Sequence, residues 1–513
     1  MTTTSTSTVT PYRSQLHPAR AGFLRLLRAE WTKFWTVRAW LLVLAIAAVV
    51  TVVISQLGAS GSSTSGNVEP TLAPDGTVVR DSFHFTHREL TGDGTVTVRV
   101  TALKSADGTA PEPWAKAGLI LKESLEPGAP YAAVLATPGH GVRTQWNFTH
   151  DTAGGASDLA TAPTWLRLTR AGDRVTAYES ADGRTWSEIK DVRLESLPRT
   201  VHVGAFVATP MHQILRRSFG GTSETAGGGV VTASFDRLAL RGTSATPAWT
   251  SADVGGGVPN GPGPQDAEPG ATKVSPTGVY TLTGRGDIAP DETLGDTVQM
   301  SFQGVFVGIL FMVALGTLFV TSEYKRGLIR TTFTATPSRT KVLAAKTVVI
   351  AAVTFAVALP ATALSFTLAQ SRLRENGFKP PAFPDLSLME APALRAVVGS
   401  AALLSLVAVL ALGVGVVLRT SAGAIATVVV LVILPQILAF ALPLPAAQWL
   451  LRVTPAAAFA IQQGATYYPF VDHNCLPESG CYPMTPVSGL SVLAAYALAA
   501  LLLAAWSLRR RDA

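Results

Sequence analysis

The side chains best suited to hydrolysis are carboxylates, and their spacing argues against a hydrolytic site. A retaining glycosidase needs two carboxyl groups about 5–5.5 Å apart, one as acid and one as nucleophile. On a β-strand this distance favours positions i and i+2. Glu179 and Asp182, in the strand-rich middle of the chain, are three residues apart, and Asp182 lies in an Asp-Gly turn. The sequence predicts no catalytic residues, so a cell-wall enzyme is the least favoured class.

The chain has two cysteines, Cys475 and Cys481, in its last apolar-flanked loop. A disulfide between them is favoured if this loop faces an oxidising compartment, and it would contribute roughly 2 kcal/mol by the loop-entropy model. Asp472 and His473 with both cysteines could alternatively hold a metal. Because one such cluster is weak evidence for a metal site, we expect a disulfide and no metal or other cofactor.

ATP binding by the chain itself is not expected. No G-x-x-x-x-G-K-[ST] phosphate-binding pattern occurs in the sequence. The net charge of +7 could indicate nucleic acid binding, but the basic residues flank apolar runs, as they do in membrane proteins. Any ATP-driven activity therefore requires a partner chain, and no nucleic acid partner is expected.

The chain is 48% hydrophobic and only 15% charged, against roughly 25% charged in soluble domains. A helix that crosses the hydrocarbon layer needs roughly 20 apolar residues. Six segments of this kind predict a transmembrane bundle: 39–57, 303–321, 347–369, 396–418, 422–442 and 487–508. The central parts of these segments lack ionisable side chains, which argues against a proton-coupled transporter.

The positive-inside rule gives the orientation. With the N-terminus in the cytoplasm, the inner flanks carry Arg20, Arg25, Arg28, Lys33, Arg38, Lys325, Arg326, Arg330, Arg339, Lys341, Lys346, Arg419 and 509–511. The outer flanks carry fewer basic residues, namely Arg372, Arg374, Lys379, Arg395 and Arg452. We therefore expect both termini inside and residues 58–302 outside. A cleaved secretory signal is the alternative for the first run, since small residues follow it at 58–60.

Residues 81–242 read as an all-β antiparallel sandwich. Short segments alternate with period two, as in 95–100, 165–170 and 200–204, and Asp-Gly and Gly-Asp turns separate them. The flanks are predicted to be linkers: 58–80 before the sandwich and the Gly/Pro-rich 243–301 after it. The fold class is thus a six-helix membrane bundle, with helix 1 at 39–57 and helices 2–6 within 302–513, that carries an inserted sandwich.

The segment 114–124, WAKAGLILKES, resembles a signature strand of concanavalin-like jelly-roll modules that are often appended to glycoside hydrolases. The segments 165–168, 177–186 and 233–238 fit the same pattern. This resemblance implies a fold and leaves the function open. Trp146, Trp165 and Trp186 are candidates for stacking on sugar rings, and the alternative is that they fill the core of the sandwich.

An amphipathic helix is predicted at 21–35, within a cytoplasmic segment 1–38. Its apolar face carries Leu24, Leu27, Trp31 and Phe34, and its polar positions include Arg25, Arg28 and Lys33. A basic helix with tryptophan suits the membrane surface, where arginine meets anionic lipid. The alternative is an ordinary charged flank of the first span.

The loop 322–346 contains EYKRGLIRTT at 323–332 and TPSRTKVLAAK at 336–346. It resembles the first cytoplasmic loop of type-2 export permeases of the ATP-binding-cassette (ABC) family, and LRAEWTKF at 27–34 resembles the helix that leads into that family's first span. The resemblance implies that the loop docks on a separate ATPase subunit. The residues so implicated are Glu323, Tyr324, Lys325, Arg326, Arg330 and Arg339. The alternative is that these charges only fix topology.

The resemblance predicts a permease subunit of an ATP-driven exporter in a bacterial plasma membrane. It implies a cytoplasmic ATPase partner and a homodimer or heterodimer of permeases, with no enzymatic activity in the chain itself. The outer sandwich would contact cargo or cell-wall glycan. The alternative function is a cell-surface glycan sensor or adhesin on a multi-span anchor.

Overall fold

The computed structural model describes residues 22–64, 70–157, 159, 161–218, 221–227, 229–243, 248–255, 269–291, 295–335, 338–471, 475 and 481–510. These residues form a bundle of apolar helices and a large antiparallel β-sheet. The sheet is built from residues between the first and second long apolar helices, so it is an insertion in the helical part of the chain.

Six of the described helical segments are long and apolar enough to cross a membrane, with mean hydropathy from 2.2 to 2.7. They are α2, α4, α6, α7, α8 with α9, and α11, which confirms the number of apolar segments read from the sequence. In chain order the helices are α1 Phe23–Thr36, α2 Arg38–Gly61, α3 Thr297–Met300, α4 Gln303–Lys325, α5 Leu328–Ala335, α6 Arg339–Glu375, α7 Ala391–Leu418, α8 Ser421–Val432, α9 Leu434–Ala439, α10 Leu444–Val453 and α11 Pro486–Arg510. A 3₁₀ helix, Pro455–Gln462, precedes α11.

The fifth span differs from the single helix predicted at 422–442. The structure divides it at Ile433 into α8 and α9, and Pro435 takes the first turn of α9. Proline lacks an N–H and its ring clashes with the carbonyl of the preceding turn, so it is favoured where a helix begins and costs stability inside one. Pro360, by contrast, lies within α6, which runs through it without a break.

Helix α7 is the centre of the bundle, because 72% of the residues in its most apolar 18-residue stretch are buried. Close approach of neighbouring helices depends on glycine. A Cβ on Gly316 of α4 would lie 2.2 Å from the carbonyl oxygen of Ala408 in α7, and one on Gly304 would lie 1.9 Å from that of Thr51 in α2. Gly304 and Gly308, four residues apart on α4, therefore both pack against Thr51 of α2.

The strands, in chain order, are β1 Val79–Asp81, β2 Phe83–Ser105, β3 Lys116–Lys122, β4 Tyr131–Thr137, β5 Gly141–Trp146, β6 His150–Ala153, β7 Thr164–Ala171, β8 Arg174–Ser180, β9 Ser187–Arg193, β10 Thr200–Ala208, β11 His212–Ser218, β12 Gly221–Gly227, β13 Val231–Thr243, β14 Thr250–Val254, β15 Ala271–Val274, β16 Tyr280–Gly284 and β17 Ile288–Pro290. Thirteen of them form one antiparallel sheet in the order β15-β16-β13-β2-β10-β3-β4-β5-β6, with β7, β8, β9 and β14 joined through β2.

The long strand β2 connects the two layers of a β-sandwich. Its first half, 84–91, pairs with β10, and its second half, 94–100, pairs with β7. The alternating apolar residues of the two layers, such as Val98, Leu119 and Val203, are fully buried between them. Alternation with period two therefore predicts the core side of these strands.

The second face of the β10-β3-β4 layer is also covered. Phe85, Ile120 and Phe206 on this face are fully buried in a cluster with Val79 and Ile288. The covering residues come from the two ends of the insertion, where β1 and β17 pair with each other. The layer is thus buried on both faces, which accounts for the continuous burial of β3 and β4.

Two buried ion pairs hold these covering segments to the sheet. Lys122 Nζ lies 2.6 Å from Asp81 Oδ2, and Lys116 Nζ lies 2.6 Å from Asp287 Oδ1. The first pair is completely shielded from solvent and the second is nearly so. Each lysine also donates to a backbone carbonyl, of Ala129 and Ile288 respectively. Pairing and these backbone hydrogen bonds offset part of the desolvation cost of the buried charges.

The prediction of a plain linker at 243–301 is wrong for the described part of that range. Strand β14 pairs with β2, and β15 and β16 extend the sheet beyond β13. The Gly/Pro-rich run obscured these short strands in the sequence, and most of it, at 256–268, lies outside the described residues. The predicted linker at 58–80 likewise includes the end of α2 and a bridge between Leu72 and Val78.

The chain returns from the sheet to the bundle through a fixed contact at Asp296. This carboxylate accepts from the backbone N–H groups of Val298 and Gln299, which caps α3, and from those of Gly464 and Ala465 in the loop before α11. Burial raises the pKa of Asp296 above its ordinary value, although the four N–H donors act in the opposite direction. The segment that leads into α4 is therefore tied to the bundle.

Candidate functional site

Helix α1 packs on the bundle through a face that the sequence pattern only partly predicted. Phe34 is fully buried and Leu27 is half-buried, whereas Leu24 and Trp31 are exposed. The buried face also carries Glu30, which is only 2% exposed. Residues 27, 30 and 34 lie on one side of a helix, so the face of α1 in contact with the bundle contains a carboxylate. Leu24 and Trp31 lie outside this contact and are exposed.

Glu30 belongs to a cluster of four charged side chains that joins three helices. Lys346 Nζ of α6 lies 2.7 Å from Glu30 Oε2 and 2.7 Å from Glu323 Oε1 of α4. Lys33 Nζ lies 2.9 Å from Glu30 Oε1 and 3.3 Å from Glu323 Oε1. We call these four residues the ionic cluster. It connects α1 to the end of one apolar helix and the beginning of the next.

Aromatic rings close the ionic cluster on its bundle side. Lys346 Nζ lies 4.9 Å from the ring centre of Phe319, which makes edge contacts with Phe34 and Trp40 at 5.8 and 5.1 Å. A cation over an aromatic face is stabilised by the ring quadrupole, and more so where water is excluded. The Lys346 side chain is 2% exposed, so its charge is compensated by the protein alone.

The ionic cluster is balanced, with two carboxylates and two ammonium groups. Burial lowers the pKa of Lys33, but hydrogen bonds and the charges of Glu30 and Glu323 outweigh it, so that this pKa is raised. The Lys33 side chain is 39% exposed, against 2% for Lys346. Lys346 is therefore the structural centre of the cluster, and Lys33 is the member in contact with solvent.

The residues predicted to couple to an ATPase divide into two groups. Lys325, the last residue of α4, and Arg326, which follows it, are both exposed. Glu323 is buried in the ionic cluster, so its carboxylate holds helices together and does not face outward. The side chain of Arg330 lies outside the described residues.

Tyr324 and Arg339 also make internal contacts. Arg339 Nη1 donates to the carbonyl oxygen of Leu508 at 2.7 Å, near the end of α11. The guanidinium of Arg419 lies 5.4 Å from the ring centre of Tyr324. These contacts bring the ends of α4, α6, α7 and α11 together next to α5. The α4–α5 turn and the start of α5 remain exposed beside these contacts, at Lys325, Arg326 and Leu328.

The three candidate tryptophans lie in different parts of the sandwich. Trp165 on β7 and Trp186 before β9 are half-exposed, and both stack with arginine, at 5.6 Å from Arg99 and 3.6 Å from Arg167. Trp146 on β5 packs partly against the sandwich core and stacks on His150 at 4.9 Å. The structure brings the first two onto the same layer and leaves Trp146 apart from them.

Cys475 and Cys481 are joined in a disulfide, with 5.0 Å between their Cα atoms. Asp472 and His473, the further ligands of the alternative metal site, lie outside the described residues. Among the residues that the structure describes, no group of three or more His, Cys, Asp or Glu side chains could hold a metal ion.

Comparison with known proteins adds little to this site. No protein-family model matches the chain. No curated protein matches it either. A functionally unknown protein from Saccharomyces cerevisiae is 17% identical over 35% of this chain and 86% of that one, with a TM-score of 0.24. SCP-B, a member of the Eqolisin family of peptidases in complex with the tripeptide Ala-Ile-His, is 9% identical over 40% of this chain and 98% of that one, with a TM-score of 0.23. Scores this low carry no argument about fold or activity.

Sequence reasoning missed the ionic cluster, although each member was visible. Glu30 stands three residues after Leu27 and four before Phe34, and Lys346 directly precedes an apolar run. A carboxylate centred on the apolar face of a basic helix requires a buried cation as its partner. That requirement was the available signal, but the sequence does not indicate which distant lysine supplies the charge.

Proposed function

We propose that this chain is the membrane-spanning subunit of an ATP-driven exporter of the ABC type, coupled to a separate cytoplasmic ATPase. The ionic cluster is the observation that carries the proposal, because it fixes α1 to the ends of α4 and α6 around the loop that resembles the docking loop of type-2 export permeases. Displacement of α5 by a partner would then be transmitted to two apolar helices and to α1 together. A plain membrane anchor has no use for such a junction.

The docking surface in this proposal is the turn that carries Lys325 and Arg326, followed by α5. Both side chains are exposed, and cations at an interface favour an acidic partner surface and speed its association. In this scheme the N-terminus faces the cytoplasm, the chain works as a dimer of permeases, and the sandwich lies outside the bacterial plasma membrane. We further propose that the sandwich is a jelly-roll of the concanavalin-like type, as its sequence segments suggest.

Co-purification tests the proposal directly. A tagged full-length chain, extracted from its native membrane in a mild detergent, should bring with it a protein that contains a Walker A motif and hydrolyses ATP. The double variant Lys325→Glu/Arg326→Glu should lose most of this ATPase while reaching the membrane in normal amount, since reversed charges repel the partner surface.

The matched control is Arg38→Glu/Arg509→Glu, which reverses two other exposed arginines on the same predicted side of the membrane. It should retain the ATPase. Recovery of the native chain without any ATPase, or equal loss in both double variants, would refute the assignment of the docking surface.

A further inference from the structure

The outward face of the β13-β2-β7-β8 layer differs from the rest of the sandwich because it remains partly open to solvent. The β10-β3-β4 layer is buried on both sides. On the open layer, Thr95, Thr97 and Arg99 of β2 are half-exposed and alternate with fully buried valines. The register places Thr97 beside Arg167 of β7 and beside Ala239 of β13. Side chains of three strands therefore form one polar surface.

One end of this surface is neutralised within the protein. Arg99 forms a two-point ion pair with Asp236, and its guanidinium lies over the ring of Trp165. The turn at Gly183 packs on the same ring, since a Cβ there would lie 2.7 Å from it. These contacts already hold the Trp165 ring in place. A ligand that binds against it therefore causes little further loss of side-chain entropy.

The other end carries two guanidinium groups that no described carboxylate pairs with. Arg167 lies against the ring of Trp186, 3.6 Å from its centre, and its Nε is buried without a hydrogen-bond partner. The exposed Arg241 of β13 is close enough to repel it. Burial lowers the pKa of Arg167, and the charge of Arg241 lowers it further. Across β8 and β9, Tyr178 and the exposed Glu188 lie in register with Arg167, and Asp191, one row further along the strands, is paired with Arg174.

We propose that this surface binds an acidic glycan, with its anionic group between Arg167 and Arg241 and its sugar rings along Trp165, Trp186 and Thr97. We call these five residues the arginine face. A carboxylate or phosphate held by two guanidinium groups forms strong, charge-assisted hydrogen bonds, and it would remove the repulsion between them.

The neighbouring groups favour a glycan over other anionic polymers. Thr95 and Thr169 form a hydroxyl pair 3.2 Å apart beside Arg241, and hydroxyls of this kind match those of a sugar. The tryptophan rings are held apart on separate elements, β7 and the turn before β9. The inference deepens the part of the proposed function that concerns the sandwich. It is independent of ATPase coupling.

The test measures binding of fluorescent oligosaccharides by the full-length protein in nanodiscs of phosphatidylcholine, without any ATPase. The probes are hexagalacturonate, its fully methyl-esterified form, a hexasaccharide of mannose 6-phosphate and a thymidylate hexamer. Either acidic glycan should bind, and the one that does identifies the anion, while the neutral ester should not. Binding should weaken as salt is added.

The decisive variant is Arg167→Gln/Arg241→Gln, for which we expect roughly tenfold weaker binding or more, from the loss of two charged hydrogen-bond donors. Lys104→Gln/Lys273→Gln removes two exposed lysines elsewhere on the same sheet and should bind normally. Trp186→Phe keeps an aromatic ring and should retain most of the affinity, whereas Trp186→Ala should not.

The inference is overturned if neither acidic glycan binds, if the ester or the oligonucleotide binds equally well, or if both double variants lose affinity alike. Near-identical unfolding temperatures of the two double variants show that the comparison concerns binding. Glycan binding by a chain that recruits no ATPase would support this inference and refute the proposed function. The two proposals can therefore be tested separately.

Discussion

Lys346 shows how much one buried side chain contributes to the helical part of this protein. Its ammonium group lies 2.7 Å from both Glu30 and Glu323. Replacement by methionine keeps the length of the side chain and leaves two carboxylates with only the half-exposed Lys33 as a partner. We expect Lys346→Met to lose about 3–5 kcal/mol of unfolding free energy, as breaking buried ion pairs does elsewhere. Unfolding in detergent monitored by tryptophan fluorescence measures this loss.

The control for this prediction is Lys341→Met on the same helix. Because Lys341 is exposed, this substitution should change the free energy of unfolding little. The triple variant Lys346→Met/Glu30→Gln/Glu323→Gln removes the unpaired charges and should recover part of the loss. A Lys346→Met protein as stable as the parent would mean that the two carboxylates become protonated or hydrated without any loss of unfolding free energy. The ionic cluster would then have no structural role.

His87 predicts a pH dependence of the sandwich. Its ring stacks on Phe85 at 4.9 Å and contacts His202 at 5.1 Å. Burial, with a contribution from His202, lowers the pKa of His87 from 6.5 to about 4; Glu89 is the carboxylate near the pair. The unfolded chain therefore binds a proton more readily, so stability is complete above pH 6.5 and is lost as the pH falls toward 4.

The expected loss is on the order of 2 kcal/mol, after allowance for solvent screening. His87→Phe keeps a ring that can stack on Phe85 and should show a smaller drop in unfolding temperature between pH 7 and pH 4.5. His150→Phe is the control, since His150 is exposed and should leave the pH profile unchanged. Parallel profiles for the parent and His87→Phe would show that other groups control the acid response.

At the level of elements, glycine sets the distance between α2 and α4. A Cβ on Gly304 would lie 1.9 Å from the carbonyl oxygen of Thr51, so Gly304→Ala must push the two helices apart. We expect a loss of about 1–3 kcal/mol, the range for overpacking, measured as a lower unfolding temperature. Gly61→Ala, also in a helix but with nothing near its Cβ, should be neutral or slightly stabilising. Equal stability of both variants would contradict the close approach.

The elements that the sequence predicts well are those with long, regular patterns. The apolar runs gave all six long helical segments, and alternation gave the main strands of the sandwich. Strands β14–β17 were not predicted, because each is short and surrounded by glycine and proline. They are stabilised by pairing with distant strands such as β2. The ionic cluster was not predicted for a related reason, since Glu30 and Lys346 are separated by more than half of the chain.

For the whole molecule, the orientation of the bundle is the prediction on which the proposed function depends. Charge bias predicts that the sandwich lies outside and α5 inside. Ser187→Cys, exposed on β9, should react with a membrane-impermeant maleimide in intact cells, and Lys341→Cys should react only after lysis. The native cysteines form a disulfide and give little background. Labelling in the reverse pattern would invert the topology and exclude the proposed docking of an ATPase at α5.

The ribbon of β1 and β17 has a consequence for how such a chain could arise. Val79 lies directly opposite Pro290, so the first and last strands of the β region are separated by the roughly 5 Å between paired Cα atoms. A single short peptide could bridge this gap, so that excision of the residues between these strands would leave the helical part of the chain connected. The β region is thus a self-contained insertion with adjacent ends. Recombination could acquire, exchange or delete it in one step while the helices keep their arrangement.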